Sequence, residues 1–172
     1  MNTLKAEKRS MDVKAKKLRR EGFVTGNLFG REIEGSIPLK FTKKEIEVLL
    51  KNNNKGSQVM LELDGKTYDA LIKEVDYNPL AHTVEEVDFQ ALVSNEMVHS
   101  TAEIILENEE KVMSGVLQDE LKEVAYKALP ADLVDKIKVD VAGMKIGDTL
   151  RVKDLEIAKN KNIPVSYTHL RA

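Results

Sequence analysis

Short alternations of apolar and polar residues dominate the chain. Leu4 and Ala6 alternate with polar neighbours and predict a short first strand. Val13 to Arg20 predicts a short basic helix or helical turn, stopped at Glu21–Gly22 because glycine readily takes the left-handed conformation that closes a helix. Val24 to Phe29 predicts a strand, and Ile33, Ile37 and Leu39 another, with an irregularity near Gly35. Gly22, Gly26 and Gly30 fall four apart in a short polar stretch, which predicts turns and close backbone approach rather than helix packing. At Phe41–Thr42–Lys43–Lys44–Glu45–Ile46 the pattern switches to a helix start. Thr42 and Glu45 have the spacing of a capping box, Phe41 and Ile46 that of a hydrophobic staple, and Ile46, Leu49 and Leu50 share one face. Asn52 to Gly56 ends that helix. Val59, Leu61 and Leu63, then Asp64–Gly65, then Lys66 to Val75 predict a hairpin. Asn78–Pro79 marks a turn before a long β segment, Thr83 to Val93.

The second half also reads as β. Met97 to Leu106 and Val112 to Leu117 flank the polar turn Glu107–Asn108–Glu109–Glu110, and Leu121 to Leu129 runs to Pro130. Ile137, Val139 and Val141 alternate with Lys138 and Asp140. Gly143 and Gly147–Asp148 predict turns, and Leu150 to Val152 a last short strand. Val165 to Ala172 do not continue the pattern and read as a truncated or non-native tail. The fold class is mainly β with minor α. A domain over residues 1–91, a closed or nearly closed β structure, is followed by a C-terminal β domain over 92–164, the boundary being drawn from charge and pattern.

Charge sharpens this picture. The chain has 172 residues and a net charge of −2. Residues 1–20 nevertheless carry eight Lys or Arg against two acids, a local +6. Phosphate binding depends on local potential, so this run points to a polyanion ligand where the overall balance does not. A basic run is also what a solvated helix face looks like. Clustering within one turn, beside glycine-rich backbone, favours the phosphate-facing reading. Residues 1–91 balance at +1 and residues 92–172 at −3, which makes the first half the nucleic-acid candidate and the second an accessory or protein-facing module.

Other chemistries find little support. Aromatics are scarce, with four Tyr, four Phe and no Trp, so base-stacking platforms are a poor fit. There is no cysteine, which removes disulfides, thiolate metal sites and cysteine nucleophiles and fits a cytosolic protein. No apolar run approaches a membrane span, and no apolar segment follows the basic N-terminus as a secretory signal requires. His82, His99 and His169 lack metal-ligand spacing, no phosphate-binding glycine loop with Lys-Ser or Lys-Thr exists, and the acidic cluster Glu85, Glu86 and Asp88 reads as a solvated strand edge, Glu86 and Asp88 sharing a face. No enzyme activity, cofactor, metal or small-molecule substrate is expected.

Ordered motifs then carry a resemblance. Leu4–Lys5–Ala6–Glu7, Arg9, Lys17–Leu18–Arg19–Arg20–Glu21–Gly22 and Leu28–Phe29–Gly30 resemble the opening of the bacterial large-subunit ribosomal protein twenty-five family, which includes the general stress protein Ctc. Asp64–Gly65–Lys66, Lys73, Asn78–Pro79 and Val87–Asp88–Phe89 extend the match. Leu129–Pro130–Ala131–Asp132, Val139–Asp140–Val141, Ile146–Gly147–Asp148 and Asp154–Leu155 look like that family's C-terminal β domain, so the resemblance covers about residues 3 to 157.

The resemblance implies a cytoplasmic, ribosome-associated protein whose N-terminal small β-barrel binds 5S rRNA, with large-subunit ribosomal proteins as further partners and no membrane contact. Shape, phosphates and 2′-hydroxyls dominate recognition of double-stranded RNA, which suits cations on a rigid barrel. Arg9, Lys16, Lys17 and Arg19 stand where the family is basic. With Lys14 and Arg20 they are the expected phosphate contacts, and Asp88 is expected to orient a basic neighbour or accept from a ribose hydroxyl or base amine. Phe29 stands at an RNA-facing position where tyrosine is usual, Glu86 where histidine is usual, Asp76 where glutamine is usual and Thr25 where proline is usual. Anions at positions 76 and 86 oppose phosphate unless Arg or Lys pairs with them. They favour the alternative of a diverged stress- or assembly-associated interaction module with weak RNA binding.

Overall fold

The computed structural model describes residues 3–112 and 115–160 of the protein; the tail Val165–Ala172 lies outside these. The chain divides between Glu96 and Met97 into two compact units.

Alternation in the first unit closes into a barrel. Strands β1 (Thr3–Lys8), β2 (Phe23–Phe29), β3 (Ser36–Thr42), β4 (Gln58–Leu63), β5 (Lys66–Asn78) and β6 (Thr83–Ala91) follow one another around it in the order β1-β3-β2-β6-β5-β4. Two pairings are parallel, β1 with β4 (Leu4 opposite Leu61) and β2 with β6 (Leu28 opposite Phe89). The others are antiparallel. Every second residue points inward, so Leu4, Val24, Leu28, Leu39, Leu61, Val87 and Phe89 are buried together. Each such side chain contributes about 1.5–3 kcal/mol over leaving it in water. The rings of Phe41 and Phe89 meet at 5.5 Å and 54°.

Two helices interrupt the strands. Helix α1 (Ala15–Arg20) is the basic segment, and Gly22 behind it has the left-handed φ of 88°. Helix α2 (Lys43–Asn52) starts where the cap predicts, the Glu45 amide donating to Thr42 Oγ1 at 3.4 Å. The Glu45 carboxylate accepts from the Thr42 hydroxyl rather than from its amide. Ile46 and Leu49 join the barrel core, with Phe41 in the same cluster and Leu50 packed against it. The β4–β5 turn is Asp64–Gly65, both at positive φ. Ile33 lies outside β3, in the loop before it, where its amide bonds to Gly30 at 3.1 Å. Gly26 is in mid-strand, not in a turn.

The second unit holds a three-stranded sheet in the order β8-β7-β9, built from β7 (Val98–Glu107), β8 (Glu123–Ala128) and β9 (Lys136–Asp140). β7 pairs antiparallel with β8 and parallel with β9. Ala102, Val124, Tyr126, Ile137 and Val139 pack with Val152, Leu155 and Ile157. Two expected strands are corrected. The described part of Val112–Leu117 is irregular, and Val116 is 97% exposed, so no second row of apolar contacts holds it flat. Leu150–Val152 is not a strand either. Val152–Asp154 is a single 3-10 turn whose Asp154 carboxylate accepts from the Arg151 amide at 3.0 Å, and a four-residue helix α3 (Glu156–Lys159) follows. Among the described residues no helix is long and apolar enough to cross a membrane.

Candidate nucleic-acid interface

Helix α1 lies on β2 with Leu18 buried beneath it. Leu18 is the one buried residue among the six, and the lysines and Arg20 face water. Lys14, at the N-cap, and Lys16, Lys17 and Arg20 are exposed. Lys17 Nζ is 3.9 Å from Glu21, while Lys14, Lys16 and Arg20 form no ion pair with any described residue.

Arg19 differs from these four. Its Nε donates to the Glu85 carbonyl at 3.1 Å and its Nη2 to Thr25 Oγ1 at 3.3 Å. The same Nη2 stands 3.6 Å from Glu86 Oε2. Thr25 is fully buried under these contacts. Arg19 therefore pins α1 across the β2–β6 seam, and the other cations are displayed on a fixed support. Arg9 is tied as well, through its amide to the Pro38 carbonyl at 2.9 Å and through Nη2 to the Val13 carbonyl at 3.2 Å. Its Nε is buried without a hydrogen-bond partner.

The acids lie beside this seam. Asp76 of β5 sits directly across from Glu86 of β6, and Glu74 across from Asp88, two like-charged cross-strand pairs. Lys55 lies 3.4 Å from Glu74. Asp88 Oδ1 accepts from the Asn27 amide at 3.0 Å and from Asn27 Nδ2 at 3.1 Å, so in this structure it binds β2 rather than a basic side chain. Glu86 Oε1 accepts from Asn27 Nδ2 at 3.4 Å. Burial first, then Asp88 and Asp76, push the Glu86 carboxyl above the ordinary carboxylate range, while Arg19 and Arg9 pull the other way. Of these two opposed anions, Glu86 thus has its cation in Arg19, whereas Asp76 is exposed.

Thr25, Asn27 and Phe29 share the outer face of β2, and Glu86, Asp88 and Gln90 that of β6. Phe29 is half-buried opposite Gln90 and Ser36, four residues from Thr25, or roughly 13 Å along the strand. The predicted residues thus fall into a cationic group on α1 and at its N-terminal approach, Arg9 and Lys14 included, and a strip leading from it to Phe29. Sequence reasoning missed Asn27, the Glu85 carbonyl and Lys40, which lies across from Thr25 and is paired with Glu7 at 3.0 Å. Alternation alone places Asn27 and Lys40 on outer faces; nothing local names their partners. Among the described residues no three His, Asp or Glu side chains converge as metal ligands.

Comparison with known proteins adds the family signal. Residues 4–89 match the model of the Ribosomal L25p family, and residues 97–169 that of the Ribosomal protein TL5, C-terminal domain. The chain is 33% identical over 160 residues to a large ribosomal subunit protein bL25 of Carboxydothermus hydrogenoformans, covering 88% of this chain and 80% of that one. It is 31% identical over 160 residues to one of Akkermansia muciniphila, with 91% and 79% covered. To one of Thermoanaerobacter sp. it is 29% identical over 151 residues, with 87% and 75% covered.

Proposed function

The chain belongs to the Ribosomal L25p family, and from that premise we propose that it is a non-catalytic protein of the large ribosomal subunit whose barrel binds 5S rRNA. The observation that carries this reading is the display of Lys14, Lys16, Lys17 and Arg20 on a helix anchored by Arg19. Cations carried on a backbone that is already anchored leave only side-chain freedom to be lost when they meet a phosphate row, and they recognise the shape of a duplex rather than its sequence. Arg9 and Arg19 add charge at the base of the helix. Phe29 and Asp88 lie on the strip beside it, where a ribose or a base edge would rest. Residues 1–96 are then the RNA-binding module, and the second unit, with its excess of acids, faces ribosomal protein. The protein works in the cytoplasm, on the ribosome.

The test is binding of the whole protein to 5S rRNA across a salt series, beside Lys14→Ala, Lys16→Ala and Arg20→Ala. Each phosphate contact removed lowers the salt slope by about one and weakens binding to 5S rRNA and to unrelated duplex alike. Affinity and slope unchanged in all three variants would reject this face. The opposed pair Asp76 and Glu86 favours a second reading, a protein-interaction module with weak RNA affinity. Wild-type binding to 5S rRNA no tighter than to unrelated duplex would select it.

A further inference from the structure

We propose that Glu86 is an internal substitute for an RNA phosphate, a carboxylate seated on Arg19 that holds down the affinity of the basic helix. This deepens the RNA-binding reading and rests on it. Glu86 is fastened on two sides, Oε2 facing Arg19 Nη2 at 3.6 Å and Oε1 accepting from Asn27 Nδ2 at 3.4 Å. The side chains of Glu86 and Arg19 are each 30% exposed and in contact, so a phosphate that approaches the Arg19 guanidinium comes close to the carboxylate already there. Two like charges roughly 6 Å apart in a partly exposed site, at an effective dielectric of about 40, repel enough to weaken binding about tenfold.

The surroundings make this anion easy to surrender. Asp76 faces Glu86 from β5, Asp88 stands beside it on β6, Arg19 reaches it from α1 and Arg9 from the segment after β1, and Asn27 supplies a neutral donor from β2. Two carboxylates and burial work against the Glu86 charge, and its proton affinity is raised accordingly. Protonation leaves the Arg19 guanidinium open to phosphate while its bonds to the Glu85 carbonyl and Thr25 persist. Asp76 has no comparable hold on a cation and acts only through its field. The device is graded: RNA affinity rises as Glu86 loses its charge, by protonation or by substitution.

The experiment compares the whole protein with Glu86→Gln, which keeps the shape and an acceptor for Asn27, and with Glu62→Gln, the same charge change on β4, which pairs with neither β2 nor β6. At pH 7, Glu86→Gln is expected to bind 5S rRNA about tenfold more tightly, and Glu62→Gln within about twofold of wild type. Lowering the pH towards the carboxylate range tightens the wild type and Glu62→Gln, which both keep Glu86, and tightens Glu86→Gln much less. Equal gains in both variants, or weaker binding by Glu86→Gln, overturn the proposal. A second titration, with inorganic phosphate, follows the Arg19 Nε–Hε resonance by NMR. That resonance should respond at lower phosphate in Glu86→Gln than in the wild type. If no form binds the RNA, the functional reading fails, and the phosphate titration decides the proposal alone, an identical response in both proteins refuting it.

Discussion

Gly26 stands so close to Val87 that a Cβ on it would lie 1.9 Å from the Val87 carbonyl oxygen. The parallel pairing of β2 and β6 skips this point, running from Thr25 opposite Glu86 to Leu28 opposite Phe89, and the Asn27 amide is taken by Asp88 instead. Gly26→Ala must push the two strands apart beneath Arg19. It is expected to cost about 3 kcal/mol or more, at the upper end of single substitutions, read by urea unfolding. Gly143→Ala, whose added methyl would meet nothing within 4 Å, is expected to change stability by less than about 0.5 kcal/mol.

Arg19 carries structure as well as charge. Arg19→Ala removes the bonds to the Glu85 carbonyl and to Thr25, and is expected to lower stability by about 2 kcal/mol. Lys16→Ala should stay within about 0.5 kcal/mol. Thermal unfolding separates them. A loss of RNA binding in Arg19→Ala would therefore mix an unfastened helix with a missing cation, whereas Lys14→Ala, Lys16→Ala and Arg20→Ala test the proposed phosphate contacts without disturbing the anchor.

Thr42 caps α2 through the Glu45 amide. Thr42→Ala is expected to cost about 1 kcal/mol in urea unfolding, and Thr42→Ser much less.

In the second unit, the buried Tyr126 hydroxyl donates to the Val134 carbonyl at 2.6 Å and accepts from the Val134 amide at 2.7 Å. Tyr126→Phe leaves both peptide groups without that partner and should lower stability by about 1–3 kcal/mol. Hydrogen exchange at the Val134 amide, accelerated in the variant, is the site-specific check.

The pH dependence of the barrel carries the signature of Glu86. Its folded value lies above the ordinary 4.5, so its contribution to stability is fully present below that value and is lost as pH rises through the folded value. Asp69, also raised by burial, acts in the same direction. Thermal unfolding between pH 7 and 4.5 should therefore show Glu86→Gln gaining less from acidification than the wild type. Parallel curves would contradict the assignment.

What the sequence made legible was local. The Thr42–Glu45 cap, the Asp64–Gly65 turn and the basic turn closed by Gly22 each lie within a few residues, where steric and hydrogen-bonding rules act directly. The strand alternation was legible too, since one face of each strand enters the core. The joins that place the site were not. The parallel pairing of β2 with β6 and the bond from Arg19 to Glu85 link distant segments, and no local pattern names the partner. Leu150–Val152 misled because short apolar alternation also suits a turn that tucks one side chain, here Val152, into a core.

The bond from Arg19 to the Glu85 carbonyl spans 66 residues. During synthesis the cationic segment leaves the exit tunnel long before its acceptor has been made, and β1 likewise waits for β4. Until β6 emerges, the nascent chain exposes an unfastened polycation at the surface of an RNA machine. The barrel that fixes this helix can close only once β6, ending at Ala91, has been made, so on the proposed function the order of peptide-bond formation would separate an early, indiscriminate attraction to RNA from a later, shape-selective one.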